Sequence, residues 1–180
     1  MAPPRDDSKR LGSLIMTLAS KDGMARQRAR HALVALGKPA VGPLVAALSD
    51  PRKRVRWEAA KALTVDTDVS AIPALIVSLE DYDHGICWLA AEGLIALKAV
   101  ALIPLLESLK KRPRSAELRE AVHHILKAQR DPDLRYVLAP VLKALGHFAP
   151  EKAAPVAAQR ALKELRKRNG SRQGQPPRGN

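Results

Sequence analysis

A pattern of apolar and polar positions recurs along the chain with a period of about 30 residues. It is clearest in three stretches, residues 37–64, 69–97 and 100–126. Each stretch starts with an apolar helical segment entered near a proline, passes through a charged turn, and ends in an alanine-rich amphipathic segment. Because a single repeat of this size cannot bury its apolar face alone, the pattern predicts stacked helical hairpins rather than one closed core.

The periodicity predicts five helical pairs, of which the fifth is the least regular. Their ranges are 8–20 with 24–36, 39–48 with 51–64, 70–79 with 83–97, 99–111 with 115–129, and 132–145 with 150–168. We therefore predict a flexible N-terminus over residues 1–7, a repeat domain over 8–168, and a disordered basic tail over 169–180. The tail is rich in Gly, Pro and Gln, which cannot bury enough surface to offset the entropy lost on ordering.

The second segment of each repeat indicates which residues form the core. Val55, Ala59 and Leu63 lie at positions i, i+4 and i+8, on one face of a helix. The equivalent positions of the other repeats are also apolar: Ala25, Ala29 and Leu33; Ile86, Ala90 and Leu94; Leu118, Val122 and Leu126. We therefore expect this stripe to pack between neighbouring helices, with alanine allowing close approach.

The net charge and the single cysteine narrow the function classes. The formal net charge is +13, yet it is banded, with +7 over residues 21–61, −6 over 62–107 and +6 over 108–162. A duplex-binding surface favours one continuous basic track, so the banding favours a protein partner with complementary patches. The chain has a single cysteine, no apolar run long enough to span a membrane, and no secretory signal. These features are typical of a cytoplasmic protein without a membrane segment. We also expect the protein to be a monomer.

The segment SDPRKRVRWEAAKAL, followed by IPALIVSLED, resembles the HEAT-like repeat of the type found in phycobilisome lyase subunits. The resemblance covers about residues 10–130 closely and 131–168 loosely. It implies an all-α fold, a right-handed α-solenoid of about five stacked HEAT-like helical hairpins.

The resemblance also implies a structural role for one column of arginines. In HEAT-like repeats, an aspartate in the turn and an arginine six residues later commonly form a ladder between adjacent units. Asp50 and Asp81 occupy such turns, and Arg56 lies six residues after Asp50. Arg26 and Arg119 are equivalent to Arg56, whereas Cys87 replaces the arginine in the third repeat, which implies a weaker link there.

Two neighbouring columns of the second helices should face the concave surface of the solenoid. Trp57 and Trp88 share one of them, in a chain where aromatic residues make up only 3%. Tryptophan and arginine are the residues most often found as interface anchors. The candidate partner-binding residues are Trp57, Trp88, Arg54, Lys61, His31 and Glu92. The alternative is that both tryptophans pack against the adjacent helix as partly buried structure.

We interpret the chain as a protein–protein interaction scaffold or adaptor that uses the concave face. No catalytic constellation, cofactor motif or metal-ligand set is evident, so we expect neither an enzyme nor a bound cofactor or metal. One alternative is a basic solenoid associated with nucleic acid or ribonucleoprotein, through Arg26, Arg28, Arg30, Arg52, Lys53, Arg166, Lys167 and Arg168. A second alternative, implied by the resemblance, is a phycobilin-lyase-like subunit or chaperone.

Overall fold

The computed structural model describes residues 5–65 and 68–173, with side chains described over 8–65 and 68–170. The described residues form α-helices, short 3-10 helices and turns, without a β-strand. The α-helices are α1 (Arg5–Thr17), α2 (Gly23–Leu36), α3 (Lys38–Ala47), α4 (Lys53–Leu63), α5 (Ile72–Ser78), α6 (His84–Ala96), α7 (Leu102–Lys111), α8 (Ala116–Lys127), α9 (Pro132–Leu145) and α10 (Pro150–Gln173). The 3-10 turns Val69–Ala71 and Lys98–Ala101 precede α5 and α7. The prediction of an all-α helical solenoid is confirmed.

Polar side chains in the turns determine where several helices begin. The Asp22 carboxylate accepts a hydrogen bond of 2.8 Å from the backbone N–H of Met24, at the start of α2. Asp83, Ser115 and Asp131 accept backbone N–H groups in the same way at the starts of α6, α8 and α9. These bonds satisfy first-turn N–H groups that have no partner within the helix.

Helix α4 begins two residues later than the sequence pattern predicts. The Asp50 carboxylate accepts a hydrogen bond of 2.8 Å from the backbone N–H of Arg52, and Arg52 is extended, with φ −82° and ψ 113°. An aspartate that bonds its own backbone two residues on stabilises a turn in competition with helix. Pro51 and Arg52 therefore belong to the turn, and the helix starts at Lys53.

The helices group into two compact units, Met1–Ala101 (unit 1) and Leu102–Asn180 (unit 2). In unit 1, the second helices α2, α4 and α6 lie side by side in that order, with α3 packed on α4 and α5 on α6. The apolar stripe predicted from the sequence forms the core, and Leu33, Ala59, Leu63 and Leu94 are fully buried.

A buried ion-pair cluster joins α2 to α4. Glu58 of α4 is only 3% exposed, and it accepts a hydrogen bond of 3.2 Å from Arg26 Nε. Its other carboxylate oxygen accepts from Nη1 of Arg30, which is itself buried. Leu89 and Ala121 hold the equivalent positions of the later repeats, so Glu58 places a charge where those repeats have apolar contacts.

A second set of ion pairs joins α4 to the turn before α6. Arg56 donates from Nε and Nη2 to both carboxylate oxygens of Asp81, at 2.7 and 3.0 Å. This bidentate geometry raises the pKa of the Arg56 guanidinium above its already high ordinary value. Lys53 also forms an ion pair with Asp83, the residue that caps α6. The ladder implied by the resemblance is thus present between the second and third repeats.

The arginine column makes a second contact that recurs through the chain. Arg26 and Arg56 each donate to the backbone carbonyl six residues earlier, at 2.8 and 3.0 Å. Arg119 makes the same bond at 2.6 Å, and the Cys87 thiol donates to the carbonyl of Asp81 at 3.1 Å. Cysteine therefore preserves the bond within its own repeat, but it lacks the guanidinium that would reach the following one.

In unit 2 each helix packs against the next, and α10 packs against both α9 and α7. Leu105, Leu109, Leu126, Leu138 and Leu162 are buried at its centre. On the surface, the α10 residue Arg166 donates a hydrogen bond of 2.7 Å to Glu107 of α7. The fifth helical pair, which is the least regular in sequence, therefore lies along α7 rather than simply extending the row of hairpins.

The terminal helices pass the predicted limits of the repeat domain. Helix α1 begins at Arg5 instead of residue 8, and α10 continues through Gln173 instead of ending at 168. Lysine, arginine and glutamate favour helix in the last turns, and extending an existing helix through a glycine costs only about 1 kcal/mol. The rest of the predicted tail, residues 174–180, and residues 1–4 lie outside the described residues.

Replacing Glu58 with alanine should destabilise the protein by about 3–5 kcal/mol, because it leaves the buried Arg30 guanidinium without its counter-charge. The free energy of unfolding from urea titration followed by circular dichroism measures this loss. Glu164→Ala is the matched control, since Glu164 is exposed on α10, and it should change stability by less than about 0.5 kcal/mol. Equal losses in the two variants would contradict the role assigned to Glu58.

Candidate protein-binding site

A shallow groove of about 360 Å³ lies on the surface formed by α4 and α6 in unit 1. It is lined by Lys61, Thr64, Trp88, Leu89, Glu92, Ile95 and Ala96. The Trp88 side chain is 57% exposed, which is unusual for the largest apolar residue type. The buried apolar stripes of α4 and α6 face the core. The groove is formed by the adjacent face of these two helices, which is open to solvent.

The two tryptophans have different surroundings. The Lys61 ammonium lies 4.6 Å from the centroid of the Trp57 ring, a cation–π arrangement. The start of α6 packs near this indole, since a β-carbon built at Gly85 would lie 3.7 Å from Trp57 Nε1, an ordinary van der Waals distance. Trp57 therefore packs between its own helix and the next one, whereas Trp88 presents its ring to solvent.

The remaining candidate partner-binding residues divide between the groove and its surroundings. Lys61 and Glu92 line the groove together with Trp88. Arg54 is exposed in the first turn of α4, and His31 is exposed on α2, where its Nε2 lies 3.4 Å from Nη2 of Arg30. The structure thus brings Trp88, Lys61 and Glu92 together and leaves Arg54 and His31 outside the groove lining.

Sequence reasoning missed four residues of the groove, namely Thr64, Leu89, Ile95 and Ala96. Two of them could have been found, because Thr64 and Ile95 lie seven residues after Trp57 and Trp88, on the same helical face. A third column of groove residues therefore follows the two that the sequence indicated.

The structure removes Arg26 and Arg30 from the predicted nucleic-acid surface. Both guanidinium groups are hydrogen bonded to Glu58, and their side chains are only 21% and 10% exposed. They are held there because the buried Glu58 carboxylate needs two donors to replace its lost hydration. Neither side chain can bind a phosphate without competing with its bond to that buried carboxylate.

The other basic residues predicted in unit 1 remain on the surface, but each lies near a carboxylate. Arg52 donates to both oxygens of Asp50, which lowers the pKa of that carboxyl. Lys53 pairs with Asp83 and lowers its pKa in the same way. Arg28 is more loosely placed, 3.9 Å from Asp22. The positive band of the first half is therefore largely balanced by local acidic groups.

The basic residues predicted near the C-terminus lie on α10 of unit 2. Arg166 is bound to Glu107, and Arg168 Nη1 lies 4.0 Å from Asp133. Lys167 is exposed between them.

The described residues offer no group of three or more His, Cys, Asp or Glu side chains placed to hold a metal ion. Cys87 is half-buried, and burial raises the pKa of its thiol, which keeps the thiol in the weakly nucleophilic protonated form.

Among the described helices, no single one is long and apolar enough to cross a membrane. One bent pair of helices within the described residues reaches that length and composition only when the two are counted together.

The different surroundings of the tryptophans predict different accessibility in solution. In a Trp57→Phe variant, where Trp88 alone fluoresces, acrylamide should quench the emission strongly. In a Trp88→Phe variant the remaining Trp57, covered by Lys61 and packed near Gly85, should be quenched several-fold less. Equal quenching constants for the two variants would show that the ring of Trp88 is not the exposed one.

Comparison with protein families supports the architecture described above. Residues 41–127 match the family of HEAT repeats, a stretch that begins within α3 and ends with α8. Comparison with curated proteins found no match. The matched stretch contains the helical hairpins and side-by-side second helices described above, so residues 41–127 of this chain are HEAT-like repeats.

Proposed function

We propose that the chain is a protein-binding scaffold without catalytic activity, and that it docks its partner in the groove on α4 and α6. The observation that supports this proposal is that the Trp88 side chain is exposed and lines a groove on the surface of unit 1. HEAT repeats commonly serve as protein-interaction scaffolds, which agrees with this assignment.

The chemistry of the groove indicates the kind of segment that it binds. Trp88, Leu89 and Ile95 provide apolar surface, so an apolar or aromatic partner side chain gains free energy by covering them. Lys61 and Glu92 provide one charge of each sign at the edge, which favours a partner segment with polar groups flanking its apolar anchor. Arg54 and His31 lie beyond this edge and contribute to long-range attraction rather than to the anchor contact.

The structure bears on the nucleic-acid alternative but not on the phycobilin-lyase-like one. A continuous nucleic-acid track on unit 1 is disfavoured, because Arg26 and Arg30 are engaged with Glu58. The phycobilin-lyase-like alternative stays a prediction, as do a cytoplasmic location and a monomeric state.

The test is affinity capture from native lysate by the full-length chain, with and without nuclease, quantified by mass spectrometry. The protein partner retained after nuclease treatment is then titrated against the wild type and against Trp88→Ala. Truncating a central interface tryptophan costs about 2 kcal/mol or more, so we expect affinity to fall at least about 30-fold. Trp88→Ala should leave helicity and stability nearly unchanged because the ring is mostly exposed.

Val77→Ala is the matched control, since Val77 is also exposed but lies on α5, away from the groove. Its affinity for the captured partner should equal that of the wild type. Retention of full affinity by Trp88→Ala, or an equal loss in both variants, would contradict docking in the groove.

A further inference from the structure

Unit 2 has a separate groove whose chemistry differs from that of the first. It has a volume of about 420 Å³ and lies between the end of α8 and the exposed face of α9. Its apolar lining comes from Leu126, Pro132, Ala139 and Leu142, and Lys127, Arg135 and Tyr136 complete it. The Tyr136 side chain is 81% exposed, so its ring is available to a ligand.

The charge of the chain is concentrated in the same unit. Residues 102–180 contain seventeen lysines and arginines against seven acidic residues, so this unit carries +10 of the total +13. Residues 1–101 carry only the remaining +3, because acidic groups nearly balance the basic ones. The positive net charge of the chain is therefore carried mainly by unit 2, whereas unit 1 is nearly neutral.

The cations beside Tyr136 are not engaged in ion pairs with other described residues. Lys127 and Arg135 are both exposed, and no carboxylate of the described chain lies within ion-pair distance of either. The acidic residues at the start of α9 have other partners, since Asp131 caps the helix and Asp133 lies near Arg168. An anion that enters this groove therefore does not have to displace an internal carboxylate.

We propose that this groove binds single-stranded nucleic acid, with one base stacked on Tyr136 and the adjoining phosphates held by Lys127 and Arg135. An exposed aromatic ring between cations is the combination that single strands require, because every nucleotide brings both a flat base and a phosphate. In a duplex the bases are already stacked and paired, and their faces cannot reach the ring. The apolar lining residues beside Tyr136 add surface that the stacked base can cover.

The experiment uses the full chain and a fluorescein-labelled oligouridylate of about 15 nucleotides, near the upper size of single-strand sites. Fluorescence anisotropy at several salt concentrations gives the dissociation constant and its salt dependence. Tyr136→Ala should weaken binding about 5- to 150-fold, the range found for the loss of one stacked base. Lys127→Ala and Arg135→Ala should each lower the slope of log K against log salt by about 0.7, as for one phosphate contact on a single strand.

Two controls separate this site from general charge attraction. Tyr82→Ala removes a tyrosine that is even more exposed than Tyr136 and lies between Asp81 and Asp83 in unit 1, and Arg10→Ala removes an exposed cation of α1. Both should bind the oligouridylate as the wild type does. Circular dichroism and urea unfolding confirm that the variants are folded, which is expected because the replaced side chains are exposed.

Three outcomes would overturn the proposal. Equal binding by all variants would mean that the basic charge attracts the strand without a site. Preference for a duplex of the same length would exclude stacking on Tyr136. Binding of polyglutamate but not of oligouridylate, with loss in Tyr136→Ala and Arg135→Ala, would assign the groove to an acidic polypeptide. None of these results depends on the groove of unit 1, so this proposal and the scaffold function fail or succeed separately.

Discussion

The buried ion pairs between second helices are the interactions on which the geometry of unit 1 depends. Alanine-rich stripes allow α2, α4 and α6 to approach closely, but small apolar side chains alone specify register weakly. Glu58 with Arg26 and Arg30, and Arg56 with Asp81, require particular residues to meet. A misaligned helix would leave one of these charges buried without a partner, which is far more costly than the loss of an apolar contact.

These pairs also determine which residues remain available for binding. A charged side chain engaged between helices cannot contact a partner, so the arginine-rich sequence of α2 and α4 contributes less positive surface than its composition suggests. On the neighbouring face of α4 and α6, Trp88 lines the groove and is exposed. Unit 2 carries most of the net charge on its surface, so the two units present chemically distinct faces.

Much of this fold follows from the sequence, because the repeat fixes both the period and the phase of the apolar stripe. Ala59 and Leu63 were assigned to the core from spacing alone, and both are fully buried. What the sequence could not distinguish was Trp57 from Trp88, which occupy equivalent positions. Lys61 covers the first ring from four residues further along the same helix, whereas the packing of the start of α6 near that ring depends on tertiary placement. The path of α10 along α7 was equally unpredictable, since its pattern departs from the repeat.

A double-mutant cycle on Arg56 and Asp81 tests most directly whether the ion pairs between helices hold the repeats together. Both side chains are largely buried, at 14% and 8% exposure, so the cycle should give a coupling free energy of about 2–3 kcal/mol in urea unfolding. The more exposed pair Arg52 and Asp50 provides the reference cycle, and its coupling should be several-fold smaller. Additive effects of Arg56→Ala and Asp81→Ala would show that this ion pair does not hold the repeats together and would contradict this account.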